Sequence, residues 1–231
     1  MTPLSLVTNE DCMSLMARYP DKYFELAVVD PPYGIGEGGQ RNLSGDRPTK
    51  KWKNPNSINY KPFDDSTPPD ENYFKELFRV SKNQIVFGGN YFTAFLFPSM
   101  GWIIWDKGVD EKEHLSMFEM AWSSFQRKAM KFELLWAGFK KGEPTERIHP
   151  TQKPMKLYYW LLKNYAKPGD KILDTHLGSG SSRIAAYKLG FDFVGCELDK
   201  DYFDAQEKRF HTAIAEPLFN PPVPPTQAKL L

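Results

Sequence analysis

Residues 171–199, KILDTHLGSGSSRIAAYKLGFDFVGCELD, contain a short apolar strand, a glycine turn, a helical stretch and a second apolar strand. Both strands are nearly continuous in apolar residues, as strands are when they are buried on both faces of a parallel sheet. A strand, a crossover helix and a parallel strand form the βαβ unit of α/β proteins. This segment therefore predicts a parallel sheet that is covered by helices.

The rest of the chain extends this pattern by alternating strands with helices. Apolar strands are predicted over residues 3–7, 23–29, 84–89 and 102–107. Amphipathic helices are predicted over residues 10–20, 69–81, 154–166 and 199–215. We therefore expect the α/β class, with a doubly wound, mostly parallel sheet and helices on both of its faces.

Several local features refine this prediction. Residues 116–125 and 131–139 are rich in aromatic side chains and predict a hairpin that adds one antiparallel strand to the sheet. Asn90 is predicted to cap a short helix over 90–97, and Pro154 to be the first residue of the helix over 154–166. We expect residues 1–215 to form a single domain, followed by a disordered, proline-rich tail over 216–231.

The composition is that of a globular protein with balanced charge. Hydrophobic residues make up 41% and charged residues 26% of the chain, and the net charge is +1, so a polyanion would have to bind a local patch. The chain has no signal-peptide pattern and no apolar run near the roughly 20 residues that span a bilayer. Cys12 and Cys196 are too few for a disulfide framework or a four-ligand zinc site. We expect a cytoplasmic protein with reduced thiols and no membrane association.

Two glycine clusters are candidates for a nucleotide-binding loop. Gly34, Gly36 and Gly39 match the pattern G-x-G-x-x-G, but the broken sequence after them does not predict the helix that this motif requires. Gly178 and Gly180 lie between a predicted strand and a predicted helix, where backbone amides can face a ligand. The second cluster is therefore the better candidate.

Two acids beside the second cluster indicate which nucleotide it binds. Asp174 ends the strand before the loop, and Glu197 ends the next strand, where an acid can hydrogen-bond the hydroxyls of a ribose. Arg183 stands where the NAD pattern has its third glycine, and Asp174 would repel a pyrophosphate but attract an ammonium or sulfonium group. The pattern favours S-adenosylmethionine over NAD. The alternative is a glycine turn whose two acids cap helices.

Residues 26–36, LAVVDPPYGIG, place a rigid polar corner directly after a buried strand. Asp30 and the Pro31 carbonyl could accept both N–H bonds of an exocyclic amine, which favours the pyramidal geometry that frees the amine lone pair. Pro31 and Pro32 restrict the backbone, and Tyr33 could stack on a base, a contact worth about 1–3 kcal/mol. The alternative is a proline turn without a catalytic role.

Together these motifs resemble those of the amino-methyltransferases of DNA, which act on N6 of adenine or N4 of cytosine. The resemblance covers residues 4–209 and rests on DPPY at 30–33, HPTQKP at 149–154, DTHLGSGSS at 174–182 and GCELD at 195–199. DPPY comes first and the glycine loop last, as in the β group, whose chains look like circular permutations of the usual order. The resemblance implies a Rossmann-like, class I S-adenosylmethionine-dependent methyltransferase, of the kind found in restriction–modification systems.

The resemblance also implies roles for individual residues. The predicted catalytic residues are Asp30, Pro31, Pro32 and Tyr33. The predicted cofactor-binding residues are Asp11, Cys12, Asp30, Thr151, Gln152, Lys153, Asp174, His176, Gly178, Ser179, Gly180, Ser181, Glu197 and Leu198. The chain departs from many members of the family at Thr175 and His176, where they have Pro and Phe, and no metal site is expected.

Two basic segments are predicted to bind DNA. One lies in residues 34–69, a loop that we expect to be mobile and to face DNA, and the other in residues 126–148, a short target-recognition region. The predicted DNA-binding residues are Arg41, Arg47, Lys50, Lys51, Trp52, Lys53, Arg127 and Lys128. So small a recognition region suggests a short target or a second subunit, so a homodimer is one expectation. The alternative is a solvated charged surface without specific contacts.

The sequence therefore predicts a site-specific DNA methyltransferase that flips an adenine out of the duplex and methylates its N6 by direct transfer. The Asp that begins DPPY favours adenine in this family, and N4 of cytosine is the nearest alternative. RNA, a protein glutamine amide and an inactive nucleic-acid-binding homologue are weaker alternatives. An NAD-dependent oxidoreductase is disfavoured because the third glycine is absent.

Overall fold

The computed structural model describes residues 2–36, 61, 65, 67–109, 116–137, 140–142 and 147–215. The α-helices in these ranges are α1 Cys12–Ala17, α2 Glu71–Val80, α3 Met155–Tyr165, α4 Ser181–Lys188 and α5 Lys200–Ala215. The strands are β1 Ser5–Asn9, β2 Phe24–Val29, β3 Ser81–Phe87, β4 Ile103–Asp106, β5 Phe118–Ser123, β6 Met130–Glu133, β7 Trp136–Ala137, β8 Lys140–Lys141, β9 Lys171–Asp174 and β10 Asp192–Glu197. Within the described ranges, every helix is too short or too polar to span a membrane.

Eight of these strands form one sheet in the order β1-β10-β9-β2-β3-β5-β4-β6. β5 runs antiparallel to its neighbours β3 and β4, while the other seven strands share one direction. β7 and β8 form a separate two-stranded ladder. The predicted class, a mostly parallel α/β sheet with one antiparallel strand, is confirmed.

The sheet is buried on both faces, which explains why its central strands are apolar throughout. In β2, Leu26 and Val28 point into a cluster with α3 and α4. Ala27 and Val29 point into the opposite cluster, with α1 and α2. Successive side chains of a strand alternate between faces, so a strand between two helical layers must be apolar at every position.

The centre of the sheet is a topological switch point. β9 and β2 are parallel neighbours there, paired at Leu26↔Ile172 and Ala27↔Leu173. From β9 the chain passes through α4 to β10 on one side, and from β2 it passes through α2 to β3 on the other. Ligands of doubly wound sheets bind in the crevice outside the carboxyl ends of two such strands. Asp30 follows β2 and Asp174 ends β9, so both carboxylates belong to this crevice.

The predicted hairpin between residues 116–125 and 131–139 is wrong. β5 lies between β3 and β4, and β6 pairs with β4 in parallel instead of with β5. The central position buries Ala121 and Trp122 completely, which a hairpin at the edge of the sheet would not do. Aromatic content identified the strands, but burial of these side chains against β3 decides their partners.

The predicted helix over residues 90–97 is also wrong, since only a 3₁₀ turn forms there, over Gly89–Tyr91. Gly88 precedes this turn in the left-handed conformation, with φ of 65°, and no side chain caps it. The bulky residues that follow do not share one helical face: Phe92 is buried, whereas Phe97 is half exposed and packs against Trp122. Pro154 is the N-cap of α3 and Met155 its first residue, one position later than predicted.

Candidate functional site

The DPPY corner at the end of β2 is held by hydrogen bonds on both sides of its prolines. The Tyr33 hydroxyl donates to Asp30 Oδ1 at 2.7 Å. Asp65, itself buried, accepts from the backbone amides of Tyr33 at 2.9 Å and Gly34 at 3.3 Å. Burial raises the pKa of Tyr33 well above its ordinary value, so its hydroxyl stays protonated and remains a donor. The Asp30 carboxylate is thereby fixed in orientation.

The Tyr33 ring lies against the backbone at the end of β3. A Cβ atom added to Gly88 would lie 2.2 Å from Cε1 of Tyr33 and 2.6 Å from both Cδ1 and Cζ. Distances this short to both neighbours of Cε1 fit an atom above the ring plane and not one at its edge, so Gly88 lies over the face of the ring. Tyr91, which is half exposed, stacks on the same ring with centroids 5.0 Å apart and an interplanar angle of 18°. Gly88 is therefore the residue that makes room for Tyr33.

Charged side chains from three elements meet at Asp30. The Lys153 ammonium contacts Asp30 Oδ2, lies 3.5 Å from the Tyr33 hydroxyl and lies 3.3 Å from Oε2 of Glu119 on β5. Glu119 Oε1 pairs with Lys107 at 2.6 Å. Burial acts to lower the pKa of Lys153, but the carboxylates of Asp30 and Glu119 outweigh it and raise that pKa. Burial likewise acts to raise the pKa of Glu119, but Lys153 and Lys107 outweigh it and lower that pKa. The cluster thus alternates cation and anion.

On the other side of the crevice, Asp174 is a buried carboxylate with neutral partners. The Ser182 hydroxyl donates to Oδ2 at 2.5 Å and the His176 amide donates to Oδ1 at 3.0 Å. Burial raises the pKa of Asp174 to about 7, against the effect of these two hydrogen bonds. A carboxylate in this state is complementary to a positively charged ligand group.

Glu197, at the end of β10, holds the glycine loop. Its Oε2 accepts from the Gly178 amide at 2.7 Å and its Oε1 from the Asp199 amide at 2.9 Å. Burial raises the pKa of Glu197, although both amides act to lower it. Each carboxylate oxygen retains a second lone pair for a ligand hydroxyl. Leu198, next to Glu197, is highly exposed and offers an apolar surface beside these oxygens.

The HPTQKP segment lies between the two halves of the crevice. His149 is buried, packs against Tyr202 with ring centroids 4.3 Å apart and an interplanar angle of 60°, and lies beside Gly178. Gln152 Oε1 accepts from the Ile148 amide at 3.0 Å, which closes the turn. The carbonyl of Lys153 accepts from the Ser181 hydroxyl at 2.9 Å, while its ammonium reaches Asp30. Lys153 therefore joins the glycine loop to the DPPY corner.

The sequence matches the family model described as DNA methylase over residues 52–208. The chain belongs to this family. Members of this N6/N4 DNA methylase family transfer a methyl group from S-adenosylmethionine to DNA. The identification that the motifs indicated is thus confirmed for the family and for its cofactor.

Individual relatives and solved structures are similar to this DNA methylase at low identity. The type II methyltransferase M2.LlaDCHI of Lactococcus lactis subsp. cremoris is 23% identical, over 90% of this chain and 89% of its own length. A crystal structure of an M1.HpyAVI–SAM complex superposes with a TM-score of 0.55 at 17% identity, over 88% of this chain and 98% of the other. The PvuII DNA methyltransferase, described as cytosine-N4-specific, gives a TM-score of 0.58 at 11% identity, over 92% and 93%.

The donor set of the DNA methylase crevice fits S-adenosylmethionine. This cofactor carries an ammonium and a sulfonium group, a ribose with two hydroxyls and an apolar adenine. Asp174 is buried with two neutral donors and can accept a cationic group. Glu197 has free lone pairs for hydroxyls, and Leu198 has an exposed apolar side chain. The ammonium group, the ribose and the adenine of the cofactor would therefore each meet a residue of matching chemistry.

Several of the predicted site residues have contacts of their own within the protein. Asp11 is the N-cap of α1, where it accepts from the amides of Met13 and Ser14. Arg127 contacts the end of α3, since its guanidinium donates to the Asn164 carbonyl and lies over the Tyr165 ring. Lys128 is exposed. The predicted DNA-binding residues outside the described part of the chain are Arg41, Arg47, Lys50, Lys51, Trp52 and Lys53.

Sequence reasoning missed three residues of the corner: Glu119, Asp65 and Gly88. Glu119 is the single charge in the aromatic segment SMFEMAWSSF, and a charge in a predicted buried strand is a signal that it has a partner. Asp65 lies in a stretch with several other acids, and Gly88 in an ordinary glycine pair. Nothing in their sequence context singles them out.

Proposed function

We propose that this DNA methylase transfers a methyl group to N6 of adenine in DNA. The observation that carries the proposal is the position of Asp30, whose carboxylate follows β2 directly and lies in the crevice beside the glycine loop. An Asp at the start of this corner favours adenine in the family. The adenine amine also needs fixed acceptors before it can act as a nucleophile.

In this proposal the DPPY corner acts by positioning the amine. Asp30 and the Pro31 carbonyl accept the two amine N–H bonds, and the two prolines keep both acceptors in place before the substrate arrives. The aromatic pair formed by Tyr33 and Tyr91 offers a stacking surface for the flipped base. The extra proton that the methylated amine carries passes to Asp30 or to water. Placement and electrostatics supply most of the rate enhancement.

The opposite side of the crevice would hold the cofactor. When bound there, S-adenosylmethionine supplies an electrophilic methyl group on its sulfonium sulfur. Asp174 would bind its ammonium group and Glu197 its ribose hydroxyls. The residues proposed to line the rest of this pocket are Asp11, Cys12, Thr151, Gln152, His176, Gly178, Ser179, Gly180, Ser181 and Leu198. We assign Lys153 to the acceptor side instead, because its ammonium contacts Asp30.

DNA would approach the same edge of the sheet. We propose that residues 1–215 act as one domain, in which the basic segment within 34–69 contacts phosphates near the flipped base. Within residues 126–148, exposed Lys128 is the better candidate for a DNA contact. Arg127 instead stabilises the end of α3 through Asn164 and Tyr165. A second subunit would enlarge this surface.

N4 of cytosine is the second candidate. The similarity in fold to the cytosine-N4-specific PvuII enzyme favours it, with a TM-score of 0.58. Both amines are exocyclic, both have a delocalised lone pair and both fit the same corner.

The test is the identity of the methylated base. DNA from a host that lacks its own adenine methylation would be isolated after expression of the native protein and of Asp30→Asn. Nucleoside mass spectrometry separates N6-methyladenine from N4-methylcytosine, and long-read sequencing gives the sequence context. We expect N6-methyladenine with the native protein and none with the variant. N4-methylcytosine alone would replace the first candidate with the second, and neither base would refute both.

A further inference from the structure

We propose that Glu119 is a positioning residue for methyl transfer, which holds the Lys153 ammonium beside Asp30 and takes it over when the acceptor amine reaches Asp30. This inference rests on the proposed function in assigning Asp30 to the acceptor amine. It is independent of whether that amine belongs to adenine or to cytosine.

The antiparallel direction of β5 brings Glu119 to the site. Parallel strands contribute residues to the crevice at their carboxyl ends, whereas an antiparallel strand contributes those near its start. Glu119 is the second residue of β5 and pairs with Trp105, near the end of β4. A parallel strand at this position would carry its second residue at the opposite edge. The one antiparallel strand of the sheet thus supplies the carboxylate that lies beside Lys153.

Both oxygens of Asp30 are already occupied by donors from the protein. Tyr33 donates to Oδ1 and the Lys153 ammonium contacts Oδ2. Each oxygen keeps a second lone pair for an incoming amine, but the amine becomes cationic on methylation and is then repelled by an ammonium on the same carboxylate, so one of the donors has to move away. Tyr33 is fixed by Asp65 and by its contact with Gly88, whereas the Lys153 side chain has four rotatable bonds and a second carboxylate nearby. Lys153 is therefore the donor that yields.

A buried ammonium can leave one carboxylate only if another is within reach. The side chain of Lys153 is 5% exposed, and its ammonium lies 4.7 Å from the centre of the Phe87 ring, so bulk water cannot replace Asp30. Glu119 Oε2 lies 3.3 Å away, is shielded from solvent and receives no hydrogen bond from the described part of the chain. Lys107 holds the other oxygen of Glu119 at 2.6 Å and keeps the carboxylate in place. Glu119 can thus accept Lys153 at little structural cost.

Glu119 also compensates charge during the reaction. The acceptor amine becomes cationic as the methyl group is transferred, and an uncompensated ammonium beside it would oppose this change. With Glu119 in place, the Lys153 charge is neutralised whether or not Asp30 binds the amine. With Gln at position 119, Lys153 would depend on Asp30 alone, which would hinder amine binding and raise the barrier. Glu119→Gln should therefore lower kcat more than it raises the KM for DNA, because the proposed phosphate contacts are made by other residues.

The experiment compares Glu119→Gln with a matched control, Glu25→Gln. Glu25 also lies between two lysines, Lys82 at 3.0 Å and Lys171 at 3.6 Å, but at the opposite edge of the sheet. Methyl transfer from labelled S-adenosylmethionine to DNA would be followed at saturating cofactor, with thermal midpoints measured in parallel. We expect Glu119→Gln to lower kcat about 100-fold with KM for DNA within about threefold, and Glu25→Gln to change neither. Glu119→Asp, which keeps the charge, should recover part of kcat and provides a second variant if Glu119→Gln folds poorly.

A double-mutant cycle with Lys153→Met separates positioning from a structural role. If Glu119 acts through Lys153, Glu119→Gln should lower kcat less than about threefold when Lys153 is already Met. An equal loss in both backgrounds, or near-native kcat for Glu119→Gln alone, would overturn the inference. Label incorporation counts methyl groups on either base, so a wrong assignment of the base leaves this test intact.

Discussion

The two edges of the central sheet contain the same ionic motif in different surroundings. At the amino edge, Glu25 lies between Lys82 and Lys171, whose side chains are 51% and 36% exposed. At the carboxyl edge, Glu119 lies between Lys107 and Lys153, whose side chains are 14% and 5% exposed. An exposed pair of this kind contributes about 0–1 kcal/mol to stability. A desolvated one is costly to break, since removing one partner leaves a buried charge.

The difference lies in what else each edge contains. The carboxyl edge adds Asp30 and Asp174 within the same crevice, so its charges interact with one another and with any ligand. The amino edge has helix ends and turns without a crevice between diverging connections. Identical residue types therefore stabilise the fold at one edge and prepare a reaction at the other. Substitutions at the two edges should separate these effects.

The largest expected effect is that of Asp30→Asn. The amide retains the size of the carboxylate but loses its charge, so it holds the amine and Lys153 poorly. We expect kcat to fall about 1,000-fold, while the dissociation constant of S-adenosylhomocysteine, measured by calorimetry, changes less than about threefold. Glu25→Gln at the amino edge is the control for general loss of charge. Activity within tenfold of native would remove Asp30 from the catalytic role.

The next largest effect is expected from alanine substitution of a glycine at the carboxyl edge, Gly88, compared with one at the amino edge, Gly169. Both glycines have left-handed backbone conformations. Gly88 has φ of 65° and lies over Tyr33, whereas Gly169, with φ of 91°, has nothing within 4 Å of an added Cβ atom. Alanine at either position should cost about 1–2 kcal/mol through backbone strain. Gly88→Ala must also displace Tyr33, so we expect a further loss of about 1–3 kcal/mol in unfolding free energy and a fall in kcat.

Denaturant unfolding and methyl-transfer rates would measure this pair. Equal unfolding free energies and equal activities for Gly88→Ala and Gly169→Ala would show that the Gly88–Tyr33 contact has no special role.

The smallest expected effect is a pH dependence of cofactor binding. Burial raises the pKa of Asp174 to about 7, and an ammonium group binds its ionised form, so binding must release the proton. Affinity for S-adenosylhomocysteine should fall about tenfold per pH unit below 7 and level off above it. Burial lowers the pKa of both His149 and His176 to about 4, so they stay neutral in this range.

Two variants sharpen the pH experiment. Ser182→Ala removes a hydrogen bond that lowers the pKa of Asp174, so the midpoint should move to higher pH. Asp174→Asn should bind more weakly at pH 8 and without this dependence. The effect of pH on protein stability has the opposite sign. Between about pH 4 and 7 the folded state binds more protons than the unfolded state, so the contribution of Asp174 to the unfolding free energy decreases as pH rises through that window. A pH-independent affinity in the native protein would contradict the role of Asp174.

The sequence was informative wherever local chemistry decides the structure. The glycine loop, Asp174, Glu197 and the DPPY corner could all be identified because each motif follows an apolar strand. The partners of β5 and β6 could not, since strand pairing depends on which side chains the finished core buries. For Lys153, the position of the HPTQKP motif indicates where a backbone segment lies. It does not give the direction of a long side chain.

The pairing of β9 with β2 has a consequence for biosynthesis. The acceptor corner leaves the ribosome early, but its parallel neighbour, with the glycine loop, is translated only near the end of the described chain. Contacts so distant in sequence close late and slowly during folding. A nascent or truncated chain that lacks these later elements would carry the acidic corner without its proposed cofactor pocket, so we expect no methylation of DNA before the glycine loop and β10 have been translated.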